Sequence, residues 1–238
     1  MGKLICTDLK AVKGGFTLDV PALTIAPGEK IAVLGENGCG KTTLLQVLAG
    51  LQPAQGSIMR DAALWDRLSP AERAAHMAYL PQEAGVLFNL SVAEIADLAL
   101  RRDDLLEGGA RRAALDAVEM ADFLDRPYPS LSGGEQRRAM LARVLCRKAD
   151  FLFLDEPTAP LDMRHAALFM RHAAAIPPAV VAAMHDLNLA VRYFDRFLLM
   201  KNGRILFDTR KDQLDAGDLE TVYGIGLARC GDHFVPDR

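Results

Sequence analysis

The sequence has little that would staple, span or extend. Its four cysteines, Cys6, Cys39, Cys146 and Cys230, form no C-x-x-C pair, so the spacing of a zinc site or a thioredoxin-type centre is missing. Scattered single thiols suit a reducing compartment. No long hydrophobic run occurs. The longest, Ala173 to Met184, contains Pro177 and Pro178, whereas a spanning helix needs about 20 apolar residues. The opening Met1-Gly2-Lys3-Leu4-Ile5-Cys6 carries no apolar core of a secretory signal, and Cys6 stands where a myristoylation motif has Ser or Thr. Charge of neither sign dominates: 28 Lys+Arg against 31 Asp+Glu leave a net charge of −3, with no basic excess to point to nucleic acid. Internal repeats and low-complexity tracts are absent as well, which excludes solenoids and biased linkers.

What is present is an ordinary globular chain. Of 238 residues, 50% are hydrophobic and 25% charged, enough for one large domain or two small lobes that bury roughly 70% of the unfolded surface. Leu4 and Cys6, then Phe16, Leu18 and Val20, then Leu23 and Ile25 alternate weakly between the breaks at Gly14-Gly15 and Pro27-Gly28. This pattern predicts an antiparallel sheet with one wet face. Ile31-Ala32-Val33-Leu34, Phe151-Leu152-Phe153-Leu154 and Val180 to Met184 run apolar without alternation, as strands buried on both faces do. A helix-rich middle lies between them, with a helical row through Leu115, Val118 and Asp122, broken before by Gly108-Gly109 and after by Pro127 and Pro129. Near the end, Lys201-Asn202-Gly203-Arg204 between two apolar runs predicts a two-residue hairpin. The expected fold is α/β: a core with a mixed sheet, an N-terminal antiparallel β-subdomain and a helical subdomain inserted at about 85–148 of a single 1–238 domain.

Gly35-Glu36-Asn37-Gly38-Cys39-Gly40-Lys41-Thr42 fits G-x-x-x-x-G-K-[ST], after a buried strand and before the helical run Thr43 to Leu48. Glycines let the backbone curl its N–H groups toward a β-phosphate, and the helix N-terminus adds partial positive charge. Lys41 supplies a cation for the β and γ oxygens and Thr42 a hydroxyl for Mg²⁺. Asp155 and Glu156 end the second buried strand. There Asp155 can hold Mg²⁺ through water, and Glu156 can orient an attacking water. Cys39 has two readings. Lys41 and the helix N-terminus favour a thiolate open to N-ethylmaleimide; otherwise Cys39 is an Ala-sized spacer packed out of reach.

Leu131-Ser132-Gly133-Gly134-Glu135-Gln136 opens a helix carrying Met140, Leu141, Val144 and Leu145, and so offers a second phosphate site in one chain. With the Lys41 loop and Asp155-Glu156, it makes the chain resemble the ATP-binding cassette ATPases over nearly its whole length. The P-loop NTPase fold is part of that resemblance. Gln82 in Leu80-Pro81-Gln82 is similar to the family's Q-loop, Ala159-Pro160-Leu161-Asp162 to its D-loop and His185 to its switch histidine.

The resemblance implies ATP with Mg²⁺, and two cassettes paired head to tail. Ser132, Gly133 and Gly134 of one would close over ATP held by the other along Gly35 to Thr43. Glu156, His185, Gln82 and Asp162 would serve catalysis, with Thr42, Gln82 and Asp155 around the metal. The family stacks adenine on an aromatic of the N-terminal sheet. No Tyr or Trp precedes Trp65, the spacing points near Val12, and Phe16 is the nearest aromatic. Cys39 stands where a small Ala or Ser is common. His76, His165, His172 and His233 read as helix-surface or loop histidines.

One phosphate loop and one signature mean a single cassette. Absent spans exclude a fused exporter. The resemblance therefore implies a peripheral subunit on the cytoplasmic face of the inner membrane, docked on permease partners near Gln82-Glu83 and the helical insertion. A substrate-binding protein would act with it indirectly. Leu161-Asp162-Met163-Arg164-His165, His185 to Ala190, Arg192-Tyr193 and Val222-Tyr223-Gly224-Ile225 resemble the importer branch for iron-siderophore, haem and cobalamin. Two alternatives stay open: a soluble cassette ATPase of a cytosolic assembly, such as an iron–sulfur scaffold or a ribosome-associated factor, and a small-molecule P-loop kinase.

Overall fold

A computed structural model describes residues 2–83, 89–100 and 109–237. Expectations for 85–88 and for Gly108 lie outside the described residues. The first alternating runs form β1 (Leu4–Lys13) and β2 (Phe16–Ile25), antiparallel across the Gly14-Gly15 turn, with Cys6 opposite Leu23 and Ala11 opposite Leu18. β4 (Gln55–Arg60) pairs on the other side of β1, and the short β5 (Ala63–Leu64) on β4. The central strands are β3 (Lys30–Leu34), β6 (Met77–Leu80), β7 (Phe151–Asp155) and β8 (Ala179–Ala183), all parallel. β9 (Arg196–Lys201) runs parallel to β3 and turns into β10 (Arg204–Arg210). Asn202 and Gly203 take φ 50 and 78 at that turn, the two positive values a tight hairpin of this kind requires.

The β-subdomain is not a separate sheet. β2 meets β10 through one parallel pair, Asp19 with Arg204, and so all ten strands form one sheet, ordered β5-β4-β1-β2-β10-β9-β3-β8-β7-β6. Its two faces bury different residues. Ala32, Leu34, Leu152, Leu154, Val180 and Ala182 face the core shared with the helical insertion. Ile31, Val33, Phe151, Phe153, Val181 and Ala183 face the core beneath α1 (Lys41–Leu48) and the β-subdomain. Runs without alternation are thus buried on both sides, as the sequence suggests.

The insertion contributes α3 (Val92–Asp97), α4 (Gly109–Ala117) and α5 (Gly133–Leu145), after α2 (Pro70–His76). The expected row through Leu115, Val118 and Asp122 is not one helix. α4 stops at Ala117, Glu119 turns to φ 54, and Ala121–Phe123 form a separate 3-10 turn. Tertiary bonds hold that break: Arg138 donates to the Val118 and Glu119 carbonyls at 3.2 Å each, and Arg164 grips the Glu119 carboxylate with both ends at 2.6 Å. Ser69, Ser91 and Ser132 begin α2, α3 and α5 with reciprocal capping boxes closed by Glu72, Glu94 and Glu135. After β7 come α6 (Met163–Ala175), α7 (Leu187–Tyr193), α8 (Ala216–Tyr223) and the hairpin of β11 (Leu227–Cys230) with β12 (His233–Pro236).

Candidate functional site

A cavity of about 720 Å³ opens at the C-terminal ends of the parallel strands, where open α/β sheets place their ligands. Its floor is the loop between β3 and α1, through Asn37, Gly38, Gly40, Lys41, Thr42 and Thr43. Gly40 caps α1 at φ 109, and a Cβ there would lie 2.6 Å from Phe16 Cζ. Glycine is therefore required twice over, for the turn and for the ring. Lys41 Nζ donates to the carbonyls of Gly35 at 2.6 Å and Glu36 at 3.0 Å, so the loop wraps its own cation. Gln82 from beyond β6, Glu156 from just after β7 and His185 from just after β8 complete the lining. Phe16 and Lys13 reach in from the β1–β2 turn, which places the sequence-predicted aromatic at the cavity edge.

Glu156 has φ 46, a left-handed backbone that a non-glycine residue holds only where its surroundings impose it. Its amide donates to the Ala183 carbonyl at 3.1 Å, and its Oε1 lies 2.5 Å from His185 Nε2. An ionised carboxylate only accepts, so Nε2 carries the hydrogen in that pair. Asp155 beside it is 1% exposed. Burial pushes its pKa up, while the Thr42 side chain draws it down. Asp155 Oδ2 receives the Tyr79 hydroxyl at 3.4 Å, and Oδ1 is buried with no partner among the described residues. Burial and the Asp155 charge push the Tyr79 phenol up to about 12, which keeps it a donor.

Cys39 does not line the cavity. It is 7% exposed and belongs to the core under α1. Burial pushes its pKa up, against the pull of Lys41, and the thiolate expectation fails because desolvation outweighs the cation. Gly35 and Glu36 present carbonyls to Lys41 rather than facing the cavity. Ser132, Gly133 and Gly134 also lie outside its lining, at the start of α5, where the Ser132 hydroxyl accepts from the Glu135 amide at 3.4 Å. Asp162 sits at the N-cap of α6, accepting from the His165 amide at 2.9 Å and from the ring Nδ1 at 2.7 Å. His165 is therefore tied to the D-loop, and His76 to Asp150 at 3.0 Å. No metal-ligating group of three or more His, Cys, Asp or Glu occurs among the described residues.

Sequence reasoning missed Lys13, Tyr79 and Arg137. Arg137 is 5% exposed and donates to the carbonyls of Pro81, Gln82, Asp155 and Glu156. Only an arginine inside the run after Ser132-Gly133-Gly134 hinted at it, and arginines in a helix are ordinarily surface residues.

A phosphate loop, the Glu156 carboxylate and a histidine thus share one cavity, with Asp155 buried beside Glu156 rather than in the lining. Residues 18–159 match the ABC transporter family. The chain belongs to that family. It is an ATP-binding, ATP-hydrolysing cassette. The hemin import ATP-binding protein HmuV of Bradyrhizobium diazoefficiens is 42% identical over 204 residues, 80% of this chain and 76% of that protein. HmuV of Rhodopseudomonas palustris is 40% identical over 239 residues, 94% of this chain and 88% of that protein.

Among solved structures, an inward-facing metal-chelate type ABC transporter matches with TM-score 0.80 at 23% identity, over 100% of this chain and 98% of that one. MJ0796, a bacterial ABC transporter cassette solved as a dimer, matches with TM-score 0.76 at 21% identity, over 87% of this chain and 98% of that one. At those identities the structures speak for the cassette fold alone, the α/β fold expected from the sequence.

Proposed function

We propose that this cassette hydrolyses ATP to power import of an iron-bearing metal chelate of the haem class through separate membrane permease subunits. The observation that carries this reading is the run of relatives near 40% identity, covering up to 95% of this chain, that are named hemin import ATP-binding proteins. Iron-siderophore and cobalamin remain the neighbouring cargoes in the reading. The cytosolic-assembly ATPase and the kinase are less supported, since those relatives are import subunits.

In this reading two copies pair head to tail; that a cassette of the same fold, MJ0796, is dimeric supports pairing. Each ATP lies between the Lys41 loop of one copy and Ser132-Gly133-Gly134 of the other. Backbone N–H groups of the loop and the start of α1 hold the β-phosphate, and Lys41 turns from its carbonyls to the β and γ oxygens. Phe16, with Lys13 beside it, borders the adenine. The unpartnered, buried Oδ1 of Asp155 and the Thr42 side chain next to it fit a divalent cation. Thr42, Asp155 and Gln82 would hold Mg²⁺, which neutralises phosphate charge as it builds. Glu156 accepts a hydrogen bond from the attacking water, and His185 steadies the Glu156 carboxylate and reaches the γ-phosphate. Asp162 holds the D-loop to α6 at the pairing face.

No helix among the described residues is long and apolar enough to cross a membrane, and a peripheral place on the cytoplasmic face of the inner membrane accords with that. A substrate-binding protein would deliver the cargo.

Co-expression with a candidate permease, reconstitution and uptake assays with haem, a ferric siderophore and cobalamin test the reading. ATP-dependent haem uptake that stops with Lys41→Ala is expected. Uptake of none of the three by a complex with intact ATPase would overturn the cargo assignment.

A further inference from the structure

Arg137 lies on α5, just beyond the turn that presents Ser132, Gly133 and Gly134. Its guanidinium is buried between two neighbouring strands of the sheet, at their C-terminal ends. Nη1 donates to Pro81 O at 2.8 Å and Gln82 O at 3.1 Å, just past β6. Nη2 donates to Asp155 O at 2.8 Å and Glu156 O at 2.5 Å, at the end of β7. All four terminal N–H groups are used, one on each carbonyl. Nε is buried without a partner, so the side chain is committed to this fork rather than shared with other acceptors.

The four carbonyls belong to the segments that carry Gln82, Asp155 and Glu156. Glu156 needs outside support, because its φ of 46 is not one a glutamate adopts freely. Its peptide is held on one side by the bond from its amide to Ala183 O and on the other by Arg137 on its carbonyl. A planar, rigid fork fixes orientation as well as distance; an ammonium on a flexible stem fixes neither.

We propose that Arg137 is a positioning residue for hydrolysis: it locks the Glu156 peptide in register with Gln82, so that the direction of the Glu156 carboxylate follows the position of the signature helix. This rests on the reading of Glu156 as the residue that orients water. It assigns Arg137 no contact with ATP, and none is needed. A shift of α5 would pull on both segments at once through one side chain. A misplacement of the carboxylate by about 1 Å costs on the order of 10²-fold in rate, so the clasp matters to turnover far more than to nucleotide affinity.

The test uses the full chain. Arg137→Lys keeps the charge and loses the fork; Arg137→Gln keeps hydrogen bonding and loses the charge. Expected is a fall in kcat of roughly 10–100-fold for both, with KM for ATP and binding of a fluorescent ATP analogue within about threefold. In a Glu156→Gln background, Arg137→Lys should change the residual rate by less than about twofold, since the residue it acts through is already disabled. Should Arg137→Gln fail to fold, the Lys variant and the double variant carry the test. Wild-type kcat in Arg137→Lys, or an equal loss with and without Glu156→Gln, overturns the inference. Failure of the underlying reading shows separately, as a Glu156→Gln protein that turns over at the wild-type rate.

Discussion

His185 Nε2 and Glu156 Oε1 lie 2.5 Å apart across the mouth of the phosphate cavity. The two residues follow the C-terminal ends of adjacent parallel strands, β7 and β8, and the Glu156 amide is bonded to Ala183 at the end of β8. The contact is therefore fixed by sheet pairing rather than by two free loops. Only 15% of the Glu156 side chain is exposed, against 42% for His185. The carboxylate is thus held inside while the ring faces the opening.

Glu156→Gln is expected to bind ATP and to lose turnover by roughly 10²–10⁴. The amide also removes repulsion from the γ-phosphate, so Mg-ATP should hold the variant as a dimer in gel filtration. A variant that hydrolyses ATP at the wild-type rate sinks the assignment. His185→Ala should lower kcat by more than it weakens ATP binding, because the contact it loses within the chain is to the Glu156 carboxylate.

The head-to-tail site can be tested by mixing inactive variants. A Cβ at Gly134 meets nothing within 4 Å, so Gly134→Asp leaves its own subunit folded and puts a carboxylate where the partner's phosphates would lie. Mixed with Lys41→Ala protein, it leaves one composite site with neither change and should restore part of the ATPase activity. Silent mixtures, under conditions where subunits demonstrably exchange, would remove support for pairing across the signature.

Cys6, Cys39 and Cys146 are buried, and Cys230 is exposed. Burial also pushes the Cys39 thiol up and the Cys146 thiol up to about 12. Under native conditions N-ethylmaleimide should consume one thiol quickly, and Cys230→Ser should abolish that phase. ATPase activity should survive the labelling, with or without Mg-ATP. Fast inactivation that ATP prevents and Cys39→Ala removes would show that the loop thiol is accessible after all.

Acid should loosen the capped helices. The Ser69 hydroxyl holds the Glu72 carboxyl below its usual range, and the Ser91 amide does the same for Glu94. A folded value below the unfolded one, about 4.3, gives stability that is present above the unfolded value. That stability is lost as pH falls through the folded value. Melting temperature should therefore drop from about pH 5 downward, and less steeply in the Glu72→Gln, Glu94→Gln double variant. Parallel curves for the two proteins would mean the capping boxes contribute nothing to acid sensitivity.

The sequence by itself determined the local pieces. The phosphate loop, Asp155-Glu156 and the Ser132 run are readable because their geometry is made by neighbouring residues. Glycines shape one turn, an apolar run buries one strand, and Ser132 with Glu135 closes one cap three residues away. The Asn202-Gly203 hairpin is legible for the same reason. Tertiary structure alone decided what depends on partners far along the chain. Arg137 is separated from Pro81 by 56 residues and from Glu156 by 19, and nothing local distinguishes it from Arg138. The end of α4 is set by Arg138 and Arg164, and the union of both lobes into one sheet by a single pair, Asp19 with Arg204. The state of Cys39 turned on packing: a cation two residues away favours thiolate, but the core that closes over the sulfur removes the water a thiolate needs.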